Sequence, residues 1–231
     1  MTTVAMAMAR TLFENQRRVA LVDLDPDGGV ISFRTGVPAT PGVFLVLDPV
    51  RDGTPTPAEV TDLLRQTPGG WALLPGFLSS GQAHEVAPVA GSGLLQVMAQ
   101  SLDDVVVDSG RIRPGLSTWI LASATHVVWV LDPRREGVVR FGAAVTGAQV
   151  DGGEVPGYVL VNRANAKGAV SDLAIGVERE WGLQVAATCD EVPGDPVTSL
   201  QMAAACAQVI GVMAPETPIH KVEPGRRRWR L

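Results

Sequence analysis

Lysine is nearly missing from this chain: of nineteen basic residues in 231, only Lys167 and Lys221 are lysines, and both lie in the last third. Any mechanism that needs a lysine close to residue 1 is excluded for this polypeptide. Cysteine is equally scarce. Cys189 and Cys206 are the only two, seventeen positions apart, too few for a disulfide framework or a zinc site, and they suit a reducing cytosol. Aromatic residues make up 5%. Apolar runs such as 127–131 and 105–107 fall far short of the roughly 20 residues that cross a bilayer, so no transmembrane span is expected. Neither is a signal peptide, because the apolar stretch ahead of Arg10 has no basic flank. His84, His126 and His220 share no ligand spacing, and no Ser/His/Asp or Cys/His arrangement is readable locally.

What is present is an apolar, acidic chain: 46% hydrophobic, 19% charged, with a net charge of −5. The charge is uneven. Lys221, Arg226, Arg227, Arg228 and Arg230 against Glu223 give residues 221–231 a charge of +4 and leave −9 on the rest. An acidic body is a poor general surface for phosphate backbones, which require clustered cations. At the end, Trp229 among the arginines is a combination suited to anionic lipid or nucleic-acid phosphates, although Pro224-Gly225 leaves too few residues for a stable helix and a solubilising tail is the simpler reading.

Periodicity gives the fold class. Residues 3–15 place Val4, Met8 and Leu12 at helical spacing, so the chain opens in a helix. Residues 19–25 form a continuous apolar run ending in Asp-Leu-Asp-Pro, as a buried parallel strand enters a loop. Similar strands are expected at 71–74, 104–108, 126–131, 157–162 and 183–188. Helical stretches lie between them at 57–66, 82–102 with an interruption at Gly91-Ser92-Gly93, 114–124, 134–149, 169–181 and 196–212. This alternation predicts an α/β fold, a mostly parallel sheet with helices on both faces. One domain over 1–213 is the economical reading, with 214–231 an irregular basic tail. Trp119 and Trp129 fall in apolar segments and are expected in the core.

In open parallel sheets ligands bind beyond the carboxyl ends of the strands. Three such ends stand out: Asp23-Leu24-Asp25-Pro26, Asp108-Ser109-Gly110 and Asn162-Arg163. Carboxylates on two neighbouring strand ends can hold magnesium through waters and orient an attacking water, and an asparagine can read a base edge. Each is also ordinary turn chemistry after a strand, Asp23 as a strand-end cap and Asn162 as a turn residue.

The order and spacing of these segments, with Thr2-Thr3 opening the first helix, resemble the ParA/MinD family of deviant Walker ATPases over most of the chain to about residue 212. More narrowly, Gly28-Gly29, Arg34-x-Gly36, Ala39-Thr40-Pro41-Gly42, Leu74-Pro75-Gly76 and Asp108-Ser109-Gly110 followed by Pro114-Gly115 resemble the CpaE-like and septum-site-type proteins of actinomycetes. The resemblance implies a three-layer α/β/α P-loop NTPase fold that binds ATP and Mg2+, works as a homodimer in the cytoplasm or peripherally at the membrane, and positions a pilus, secretion, septum or partition apparatus through a protein partner. Carried over by residue, it makes Thr2 or Thr3 a magnesium ligand and its neighbour a phosphate contact. Asp25 positions the hydrolytic water, with Asp23 close to the metal. Asp108 supports the metal through water, and Gly110 gives an amide near the γ-phosphate. Asn162, with Arg163, lies at the adenine, and the loop from Pro193 to Asp195 closes over the base.

One departure is large. Family members have a strand and a glycine-rich loop with one or two lysines ahead of the Thr-Thr pair, and here Met1 stands there. A P-loop acts through successive backbone amides and a lysine around the phosphates, which one residue does not supply. The expectation is therefore a sheet without its first strand, with a true start upstream of Met1. The activity is either that of a weak or incomplete ATPase or that of a non-hydrolysing scaffold that keeps the fold and partner surface. A different α/β enzyme with a small-molecule substrate would need a catalytic base that the sequence does not offer.

Overall fold

The computed structural model describes residues 1–48, 54–113, 117–152, 157–164, 167–192 and 194–213, with only the backbone of 150–152 and 167–169. Its contacts divide the chain into two compact units, the first ending at Arg111 and the second beginning at Ile112. The first three residues of the helix expected over 114–124 and the tail at 214–231 lie outside the described residues.

The first unit starts with helix α1 (Thr2–Glu14), which buries nearly every residue from Val4 to Leu12. Its alanines permit that: with small side chains on several sides, the helix packs against both of the neighbouring parallel strands, β1 (Val19–Asp23) and β4 (Asp104–Asp108). Between those strands run α2 (Ile31–Thr35), α3 (Phe44–Leu47), α4 (Pro57–Leu63), β2 (Arg65–Gln66), β3 (Ala72–Leu74), α5 (Ser80–Glu85) and α6 (Pro88–Ser101). The sheet order is β2-β3-β1-β4. β1, buried at all five positions, is parallel to β3 and β4, its Val19 to Asp23 in register with Asp104 to Asp108. Leu21, Leu73, Leu74, Leu94 and Met98 lie at the centre of the core.

The second unit holds α7 (Thr118–Ser123), β5 (Val127–Leu131), α8 (Arg135–Gly152), β6 (Gly157–Asn162), α9 (Lys167–Trp181), β7 (Gln184–Cys189) and α10 (Leu200–Met213). Its sheet, β5-β6-β7, is parallel throughout, with a bulge opposite Val159/Leu160 that leaves Ala186 out of register. Trp129, Leu131, Phe141, Val159, Val161 and Val177 fill its core, and Trp119 is buried as expected. The described strands form two sheets, one in each unit.

Several expectations need correction. The helix expected over 57–66 ends at Leu63, because Arg65-Gln66 form β2, which is antiparallel to β3 and breaks the all-parallel pattern. The helix expected over 82–102 is interrupted at Val86-Ala87, not at Gly91-Gly93: Pro88 holds Ala87 extended and starts a new helix. Gly93 is helical, and it is a glycine for a packing reason, since a Cβ there would sit 2.6 Å from Thr54 Cγ2. The last helix starts at Leu200, not Pro196, because Asp195 accepts the Val197 amide and holds residues 195–198 in a turn.

Candidate functional site

The first unit brings its sequence-predicted residues to one end. Asp23 and Asp108 are register partners at the carboxyl ends of adjacent parallel strands, and the Leu24 amide donates to the Asp108 carbonyl at 2.8 Å. Both are buried, at 1% and 3% exposure, as carboxylates seldom are without a partner. Each receives one long amide bond on Oδ1, from Asp25 N to Asp23 and from Gly110 N to Asp108, both at 3.3 Å. The other oxygen of each, Oδ2, is buried with no hydrogen-bond partner. Burial pushes the Asp23 carboxyl up to about 7, and the negative charge of Asp108 adds to the shift against the pull of the Asp25 and Ile31 amides.

Glycines wall this pair. A Cβ on Gly29 would lie 1.8 Å from Asp23 Oδ2, so no other residue fits there without moving the carboxylate. Gly110 has φ +58, and a Cβ on it would meet Asp25 Oδ1 at 2.3 Å. Half-buried Asp25 is thereby held beside the loop that follows β4, where it also accepts the Asp27 amide at 3.0 Å. The Gly110 amide itself points to Asp108.

Thr2 and Thr3 reach the same end by geometry. Thirteen residues of α1 span about 20 Å at roughly 1.5 Å per residue, and the turn through Asn15 to Arg18 sends β1 back along the helix. The start of α1 therefore returns to the end of β1. The Arg34 guanidinium in α2, just beyond the Asp25 loop, donates to Thr3 Oγ1 at 3.0 Å.

In the second unit, Asn162 closes β6 beside Cys189, and the Ala164 amide donates to the Cys189 carbonyl at 3.0 Å. Arg163 adopts φ +66, uncommon outside glycine, and lies between Asp132 at 3.9 Å and Glu191 at 3.8 Å. Asp132 also grips Arg134 through several bonds, which hold its carboxyl below the usual range. Asp195 caps its own turn. Pro193 lies outside the described residues. Sequence reasoning did not find the Arg34–Thr3 contact, the Asp132–Arg163–Glu191 chain or the wall formed by Gly29; only the glycine pair after Asp-Pro-Asp signalled the last.

No protein-family model matches the chain, and no curated protein matches it by sequence. Solved structures do. The septum site-determining protein MinD of Pyrococcus horikoshii, solved with Mg-ADP, superposes with a TM-score of 0.67 at 16% identity over 92% of this chain and 93% of that one. A plasmid partition protein of Borrelia burgdorferi bound to AMPPNP gives 0.68 at 13% identity over 93% and 92%. Cobyrinic acid a,c-diamide synthase of Mycobacterium smegmatis, solved with an ATP analogue and magnesium, gives 0.65 at 22% identity over 91% and 88%. The chain has the three-layer α/β/α fold of these solved structures, with mostly parallel sheets and helices as the sequence pattern predicted. At these identities the likeness establishes the fold. The same fold also serves a synthase, so activity has to be argued from the site.

Proposed function

We propose that this chain is an ATP-binding protein of the ParA/MinD type: a weak or incomplete ATPase whose residues 1–213 act as one nucleotide-binding domain, working as a homodimer in the cytoplasm or peripherally at the membrane. Its output is the placement of a pilus, secretion, septum or partition apparatus through a protein partner. The observation that carries the reading is the register-paired Asp23 and Asp108, each with a buried oxygen that has no partner. Two such carboxylates are a liability to folding and an asset to a hard cation.

The donor set fits magnesium. Mg2+ accepts one or two carboxylates and keeps several waters. Among the described residues no group of three His, Cys, Asp or Glu forms a fuller cage. Asp108 and the hydroxyl of Thr2 or Thr3 would hold the ion, largely through water, with Asp23 next to it. Bound Mg-ATP supplies the phosphoryl group and neutralises its charge. Asp25, kept at the loop edge by Gly110, orients a water and takes its proton. Asp23, whose carboxyl sits near 7, is able to hold a proton beside Asp108. By the resemblance, adenine recognition falls to Asn162, whose amide has a donor and an acceptor, with Arg163 and Asp195; Pro193, assigned with them, lies outside the described residues.

A second reading, a scaffold that binds without hydrolysing, is favoured by one observation: both lysines fall after residue 166, and the cation recorded on Thr3 is an arginine. Calorimetry with Mg-ATP on the full chain, alongside a phosphate-release assay, separates the two. The ATPase reading expects submillimolar binding that Asp108→Asn abolishes, and slow phosphate release that Asp25→Asn abolishes. Binding without turnover would select the scaffold, and no binding at millimolar nucleotide would overturn both.

A further inference from the structure

At the opposite end of β1 from Asp23 the first unit has an open-mouthed cavity of about 240 Å³, which the acidic site does not use. Its wall is apolar: Phe13 from the end of α1, Val60 from α4, Leu64 just after it, Ala72 at the start of β3, and Val97 and Met98 from α6. An apolar cavity of roughly 150 Å³ holds benzene, so this one has room for more than a single ring. Gly70 helps to shape it. With φ +91 and no side chain it leaves the Phe13 ring lying against its backbone, where a Cβ would come within 2.8 Å of the ring carbons.

Two charged side chains line the cavity, Arg17 and Arg18, and each is matched by an acid at the start of β4. Arg17 binds Asp104 through Nε and, at 3.1 Å, through Nη2. Arg18 binds the Asp103 carboxylate at 2.6 Å and 3.1 Å, and its own amide donates to the same group at 2.9 Å. An anionic ligand would have to displace an aspartate from its guanidinium. A neutral one would not. Flat guanidinium faces, the Met98 sulfur and the Phe13 ring are all groups that make favourable contacts with an aromatic plane.

We propose that this cavity is a second ligand site, separate from the acidic cluster, that binds a neutral bicyclic aromatic molecule. The test uses the full chain without nucleotide, so that its outcome is independent of the proposed ATP site. Neutral naphthol and anionic naphthoate are titrated by calorimetry. Thr61 and Ser101 also line the cavity and are exposed, so Thr61→Trp and Ser101→Trp can fill its mouth without disturbing the core, and unchanged urea midpoints verify that both variants fold. The proposal expects naphthol to bind at least about tenfold tighter than naphthoate, and each variant to weaken naphthol by about tenfold or more. No naphthol binding at its solubility limit, tighter binding of naphthoate, or naphthol binding unchanged in both variants would overturn it.

Discussion

Asp23 should make this protein less stable as the solution is made more alkaline, the reverse of ordinary acid denaturation. In the folded chain its carboxyl lies near 7, against 3.8 when exposed, because it is buried and sits in register with Asp108. Folding therefore takes up a proton between those two values. Stabilisation from this group is fully present below about pH 4 and is lost as the pH rises through about 7; at about 1.4 kcal/mol per unit, the swing is about 4 kcal/mol. That is a large share of a typical domain stability of about 5 to 15 kcal/mol. Asp23→Asn removes the titration while keeping an oxygen that can accept the Asp25 amide. After about 1 kcal/mol for poorer hydrogen bonding, the variant should be about 3 kcal/mol more stable than the parent near pH 8.5 and slightly less stable near pH 3.5. Urea unfolding in EDTA at the two pH values measures both. Parallel pH dependence in parent and variant would refute the reasoning, because it would mean that Asp23 is not the group taking up the proton.

Asp108→Asn should bring the Asp23 carboxyl down by removing the neighbouring charge, shrinking that pH swing in the same urea experiment. Gly29→Ala places a Cβ 1.8 Å from Asp23 Oδ2 and should destabilise by more than about 2 kcal/mol. In an Asp23→Ala background most of that loss should vanish, a coupling that a double-mutant cycle reads directly. Cys206 is fully buried, and burial pushes its thiol up to about 12; Cys189 is buried and raised as well. Neither should react with a disulfide reagent at mildly alkaline pH until denaturant is added. Phe141 meets Trp181 edge-on at 5.3 Å and Trp129 at 6.3 Å, so Phe141→Ala should lower stability by about 3 to 5 kcal/mol and collapse the near-UV tryptophan signal.

Strands were the legible part of this fold. β4 and β6 fall on the expected residues because their apolar runs are bounded by Asp or Gly on one side and by a strand-end polar residue on the other. Helix boundaries were less so, since they depend on contacts that periodicity does not record. Gly93 looked like a breaker from its neighbours alone, yet it lies within α6 and its missing side chain makes room for Thr54, while the actual break comes from Pro88 two residues after a β-branched valine. β2 was invisible because two residues carry no period, and its pairing to Leu73 and Ala72 is a tertiary fact. The cavity was hidden for the same reason: its lining is drawn from five separate segments.

The candidate site was legible in its acids and illegible in what makes them more than turn residues. Asp-Leu-Asp-Pro and Asp-Ser-Gly each read as ordinary strand exits, and a strand-end cap would satisfy its carboxylate with local amides and water. Here each acid has a long amide bond on one oxygen and buries the other without a hydrogen-bond partner, next to a like charge. A turn gains nothing from that arrangement, and replacing either acid by a neutral residue would remove both the desolvation penalty and the repulsion. Retaining both acids, and walling them with glycines that admit no Cβ, is a local conflict of the kind that proteins carry at functional sites. On the proposed reading a cation would resolve the conflict, because its charge beside the two acids would offset their repulsion and favour the ionised Asp23 carboxylate.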